Sequence, residues 1–182
     1  MNGNKFMEEL NCEIKLKLGE SPIDPEKIFD KVFTEIEKYE VLYEDGPIYN
    51  NTFKGDKLSS KSINIKNGEK LFENIKGGGI YFILNSDGSK ILYIGKAQDL
   101  KARLKQHLQS CSVSTSSHIE DAINYLIECQ KKSKKMTLQY CVINTVNDKH
   151  NAAIEGALID YIIEKKASND ARFDECWNER KD

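Results

Sequence analysis

The stretch from Gly77 to Leu108 constrains the fold of this 182-residue chain more than any other. It opens with Gly77-Gly78-Gly79 and the apolar run Ile80-Tyr81-Phe82-Ile83-Leu84. Asn85-Ser86-Asp87-Gly88-Ser89 follows, and then a second run, Ile91-Leu92-Tyr93-Ile94-Gly95. Two β-branched and aromatic runs around a turn of Asn, Ser, Asp and Gly predict an antiparallel hairpin. After Lys96-Ala97-Gln98, Asp99 is placed to cap a helix carrying Leu100, Leu104 and Leu108 on one face. Arg103 and His107 lie four residues apart along the edge of that face. Two tyrosines, a lysine, an arginine and a histidine thus collect at one end of the hairpin and its helix, an arrangement suited to an anion.

Charge supports that reading. The whole chain is slightly acidic, at −2, but the imbalance is local. Residues 1–75 carry 11 Lys/Arg against 15 Asp/Glu, whereas residues 76–149 carry 11 against 6. The basic excess lies on the segment holding the hairpin, where a phosphate-binding surface needs it. No run approaches the ~20 apolar residues that cross a membrane. The N-terminus has no apolar signal core, so a cytoplasmic protein is expected. The five cysteines (Cys12, Cys111, Cys129, Cys141, Cys176) are scattered and contain no CxxC, which suits reduced thiols. A zinc site on His107, Cys111 and His118 fits no common ligand spacing.

Elsewhere the periodicity predicts helices over 4–19 and from Pro25 to about Leu42. Asp24-Pro25 forms the start of the second, and Ile28, Val32, Phe33, Ile36 and Tyr39 its stripe. Residues 48–65 read as extended or loop, and 66–75 as holding a short helical turn. Beyond the hairpin and its helix come a Ser/Thr-rich loop (110–117), a helix from about His118 to Gln130, a strand from Met136 to Ile143, and a helix from Ala152 to about Lys166. Residues 79–166 therefore run β-β-α-α-β-α. This predicts an α+β fold, a small three-stranded antiparallel sheet flanked by helices. A mainly helical extension over 1–75 would precede a domain over 76–182.

Glu155 is the odd residue of the last helix. It falls in a row with Ile159 and Ile162, beside the row Ile154, Leu158, Tyr161, Ile162. A carboxylate among isoleucines is costly without a partner. Either a lysine pairs with it at the helix boundary, or it holds a hard divalent cation near a phosphate. The adjacent Gly156, costing about 1 kcal/mol of helix propensity against Ala, predicts close packing at that point.

Gly79-Ile80-Tyr81, an eleven-residue interval (82–92) and Tyr93-Ile94-Gly95 resemble the two name-giving motifs of the GIY-YIG nuclease family. Lys96-Ala97 with Asp99-Leu100-Lys101 and Arg103-Leu104 is similar to the same family, including the nuclease domain of the bacterial excision-repair incision protein. The resemblance covers about residues 76–178. It implies a DNA endonuclease dependent on Mg²⁺ (or Mn²⁺), of restriction or mobile-element type. It assigns Tyr81 as general base or water positioner, Arg103 to the scissile phosphate, and Tyr93, His107 and Lys96 to supporting contacts. Glu155 would be the metal ligand, and Asn178, rather than Asn169, the asparagine that closes the core. Cations near Tyr81 would have to lower its pKa. One domain carries one site, so double-strand cleavage implies a homodimer or successive nicks. The rival expectation is a non-catalytic nucleic-acid-binding module or adaptor with the same fold.

Overall fold

A computed structural model of the chain describes residues 23–43, 49–52, 59–62, 65, 71–108, 117–145 and 148–178. The expected helix over 4–19, the loop at 110–116 and both Cys12 and Cys111 lie outside these residues. The described elements are α1 (Pro25–Thr34), β1 (Tyr39–Leu42), β2 (Tyr49–Thr52), β3 (Ser59–Ser62), β4 (Gly79–Leu84), β5 (Ile91–Ala97), α2 (Leu100–Leu108), α3 (Ser117–Lys131), β6 (Thr137–Asn144) and α4 (Asn151–Ala167). A turn of 3-10 helix, Asp148–His150, leads into α4.

The fold is α+β, as the sequence predicts, but its main sheet has four strands and not three. The order is β1-β6-β4-β5, all antiparallel. The fourth strand comes from the segment read as the end of the second helix. That helix stops at Thr34, and Lys38 returns its ammonium to the Phe33 carbonyl (3.1 Å). The chain then enters β1, where Tyr39 pairs with Tyr140 and Val41 with Leu138. β2 and β3 pair antiparallel as a separate two-stranded sheet, in the stretch read as extended or loop.

Every residue of the central strand β4 is buried, and alternate side chains serve opposite faces. Ile80, Phe82 and Leu84 pack with Ile28, Phe29 and Val32 of α1, with Ile154, Leu158 and Ile162 of α4, and with Phe173. Tyr81 and Ile83 face Leu100 and Leu104 of α2, Leu126 of α3, Phe72, Ile75 and Tyr140. The result is three layers, helices on both faces of one sheet. α1 and β1 are built into the same sheet and core as the hairpin. Asp24 accepts from the Lys27 amide (3.2 Å), capping α1 as expected of Asp24-Pro25.

The segment 172–178 runs along the outer edge of β5. Ile91 donates to the Arg172 carbonyl (2.9 Å) and Trp177 to that of Leu92 (2.7 Å). Lys90 pairs with Asp174 and Glu175. An edge strand that would otherwise expose unpaired amides is covered.

Candidate active site

The site begins with the register of the hairpin. Tyr81 of β4 stands opposite Gly95 of β5, and Ile83 opposite Tyr93. The two tyrosines are therefore diagonal neighbours on one face, with ring centroids 6.0 Å apart. Gly95 has to be glycine for a reason of space: a Cβ there would stand 2.3 Å from the Tyr81 hydroxyl oxygen and 2.4 Å from Cζ. Gly79 is similar, since its Cβ would come 2.1 Å from the Ile143 carbonyl of β6. The neighbouring glycines bind the surrounding elements through their backbone. Leu100, the first residue of α2, donates to the Gly77 carbonyl, and Thr145, just past β6, to that of Gly78 (both 3.0 Å).

α2 then brings its polar edge over Tyr81. Asp99 accepts from the Ala102 amide (2.9 Å), the cap expected of it. One turn along, Arg103 directs Nε at the Tyr81 hydroxyl (3.4 Å), and His107 places Nε2 3.1 Å from the same oxygen. Tyr81 is 1% exposed. Burial pushes its phenol above the ordinary value near 10; Arg103 and a hydrogen bond from Tyr93 pull it back in part, and the charge of Glu155 adds to the rise. The expected lowering by cations is present in Arg103, but desolvation outweighs it. Tyr93 is raised as well, by burial first and then by Tyr81 beside it.

Lys96, the residue after Gly95, meets Glu155 of α4, whose charge reaches both Tyr81 and Tyr93. The Lys96 ammonium lies 2.6 Å from Glu155 Oε2, with the side chains 44% and 18% exposed. A lysine partner is thus what makes a carboxylate in the isoleucine row tolerable. Gly156 is exposed and nothing lies within 4 Å of where a Cβ would be, which corrects the expected close packing.

Asn178 touches none of the polar groups at Tyr81. It is 9% exposed, and its amide accepts from the Ile94 N–H (2.7 Å) and the Cys176 thiol (3.4 Å) and donates to the Ile94 carbonyl (2.9 Å). Ile94 lies between Tyr93 and Gly95, so Asn178 holds the strand that carries both. Asn169 is exposed with φ +60°, in the turn that closes α4.

Two contributors carried no motif. Asn151, buried at the first position of α4, donates to the Ala97 carbonyl (3.5 Å) and accepts from the Thr145 hydroxyl. It fixes the end of β5 against the helix one turn ahead of Glu155. An asparagine at a helix start before an apolar row was the available signal. Tyr140 of β6 packs near the His107 ring (centroids 6.5 Å), and its hydroxyl lies 3.4 Å from that of Tyr43. No sequence signal marks it.

Residues 77–161 match the family of the GIY-YIG catalytic domain. This segment belongs to the GIY-YIG nuclease family. The match takes in Tyr81, Tyr93, Lys96, Arg103, His107 and Glu155, and stops short of Asn178. Membership gives the domain a nuclease-type activity class acting on nucleic acid. No curated protein and no solved structure matches the chain significantly.

Within this GIY-YIG domain the donor set fits a hard cation. Glu155 offers carboxylate oxygen at a partly exposed position, and among the described residues no three His, Cys, Asp or Glu side chains gather into a closed cage. Mg²⁺ commonly takes one or two carboxylates and completes its shell with water and phosphate oxygens. Among the described residues, no helix is long and apolar enough to cross a membrane. Cys129, Cys141 and Cys176 are free and buried.

Proposed function

We propose that the chain is a metal-dependent DNA endonuclease that hydrolyses phosphodiester bonds at Tyr81, Tyr93, Lys96, Arg103, His107 and Glu155, with Asn178 holding the strand beneath them. The observation carrying this reading is the convergence on one buried oxygen. The Tyr81 hydroxyl meets Arg103, His107 and Tyr93, the first a cation suited to phosphate and the second an imidazole able to take a proton.

Hydrogen-bond capacity supports one direction of proton movement. A phenol donates once and accepts twice. With Arg103 Nε donating to Tyr81 and the Tyr93 hydroxyl beside it, the tautomer of His107 that leaves Nε2 unprotonated would accept the Tyr81 proton. The Arg103 contact is the longer and yields when a phosphate arrives, since guanidinium forks bind phosphate bidentately. Its Nη1 also reaches Gln106 (3.3 Å). Withdrawal of Arg103 frees a lone pair on Tyr81 for the attacking water. Water oxygen bonds to phosphorus, its proton passes to Tyr81 Oη, and the Tyr81 proton passes to His107. The P–O bond to the leaving nucleotide breaks, and that oxygen is protonated from solvent. Glu155 would hold a Mg²⁺ or Mn²⁺ ion, which when bound would supply Lewis-acid neutralisation of the charge that develops in the reaction.

The chain works in the cytoplasm, and cutting both strands takes two copies or two successive nicks. A non-catalytic binding module is the less economical reading, because retention of phosphate needs no buried tyrosine aligned with a histidine. Incubation of supercoiled plasmid tests the reading. Nicking with Mg²⁺ that stops with EDTA and with Glu155→Ala supports it. Binding of DNA without nicking across Mg²⁺ and Mn²⁺ assigns the chain to the binding class.

A further inference from the structure

We infer that Lys96 is an exchangeable occupant of Glu155, so that divalent cation and nucleic acid load this site cooperatively. The inference rests on the nuclease reading of Glu155. Its basis is the 2.6 Å contact of the Lys96 ammonium with Oε2, the carboxylate oxygen that a cation would need.

The two partners are unequal in freedom. Glu155 is fixed on α4, one turn after Asn151, which is bonded to both Ala97 and Thr145. Lys96 extends from the outer strand β5, is 44% exposed, and carries its charge on a flexible four-carbon stem. A cation on Glu155 and the ammonium on the same carboxylate repel each other, so occupation by one releases the other. The released ammonium remains on β5, in the residue after Gly95, and a phosphate held at Arg103 would offer it a compensating charge. Conversely, a phosphate that draws Lys96 away uncovers Glu155. Each ligand removes a competitor of the other, and such coupling is reciprocal.

The lysine end of the pair is 44% exposed and solvent-screened, so the competition amounts to a factor of about three to five in affinity. Mn²⁺ binding to the full chain, followed by the loss of the free-ion electron paramagnetic resonance signal, reads it without any turnover. Lys96→Met is expected to bind Mn²⁺ about three to five times more tightly than wild type, and Lys96→Arg no more tightly than wild type. Adding a duplex oligonucleotide should tighten Mn²⁺ binding more in wild type than in Lys96→Met. Equal or weaker Mn²⁺ binding by Lys96→Met would overturn the exchange. Glu155→Gln separates the two levels of the argument. If it abolishes Mn²⁺ binding while Lys96→Met changes nothing, the exchange alone fails. If it leaves Mn²⁺ binding intact, the metal reading of Glu155 fails and the exchange with it.

Discussion

The phenol of Tyr81 lies directly over Gly95, its register partner on the adjacent strand, with no room between them for a methyl group. The two glycine-flanked tripeptides of the hairpin are therefore one unit: the second supplies the gap into which the tyrosine of the first fits. Gly95→Ala must push the ring off Arg103 and His107 or bend β5. Forcing such a group into a packed site costs about 1–3 kcal/mol. We expect urea denaturation to report that loss, and plasmid nicking to fall at least about 100-fold, as for loss of a group aimed at the reacting centre. Unchanged nicking by Gly95→Ala would show that the ring position is irrelevant to the chemistry.

Asn178 acts on the same strand from outside. Asn178→Ala removes both bonds to Ile94 and leaves a buried N–H and C=O unpaired, a cost of about 1–3 kcal/mol for each such group. The expected signature is a lower melting temperature with faster amide exchange at Ile94. Loss of nicking with wild-type stability and exchange would instead place Asn178 at the reacting groups.

Alkaline pH should destabilise the protein through its tyrosines. Tyr81 and Tyr93 are both raised on burial above the ordinary value near 10. Above that pH the unfolded chain releases their protons while the folded one retains them, so stability is full below pH ~10 and declines as pH rises further. Tyrosinate absorbance at 295 nm should show a fraction that ionises only on unfolding, smaller in Tyr81→Phe. Complete ionisation of a still-folded protein at ordinary phenol pKa would contradict the burial argument.

Removal of residues 1–75 should unfold the domain and not merely release an appendage. It strips β1 from β6 and deletes Ile28, Phe29 and Val32 from the core, each contributing about 1.5–3 kcal/mol. That sum is comparable to the whole stability of an ordinary domain. Circular dichroism of 76–182 is expected to lack a cooperative transition; a cooperative melt close to that of the full chain would refute it.

The β-β-α-α-β-α order was legible because each element has a clear period and the hairpin has turn chemistry of its own. Tyr39–Leu42 was not. The stripe Ile28, Val32, Ile36, Tyr39 continues a helical spacing past Thr34, whereas pairing with β6 decides the outcome, and a four-residue edge strand is too short to show alternation. Gly156 illustrates the opposite error. A helix with two apolar rows tolerates an exposed glycine, and no packing explains it. At the site, the motif residues Tyr81, Tyr93, Arg103 and His107 were legible together. Tyr140 was not, and Asn151 showed only as an asparagine at a helix start, since what they do depends on which backbone group or ring the fold sets beside them. Sequence left Glu155 between a lysine partner and a cation; Lys96 is the partner the structure puts there.

The central claim is that the Tyr81 oxygen is where the proton of the attacking water goes. Tyr81→Phe deletes that one atom and keeps the ring over Gly95, so the fold should persist. Single-turnover cleavage of supercoiled plasmid with Mg²⁺ measures the consequence. The account predicts nicking by wild type and a loss of at least about 100-fold in Tyr81→Phe, the low end of what a positioned proton-transfer group contributes, with circular dichroism unchanged. Nicking by Tyr81→Phe at the wild-type rate would contradict it.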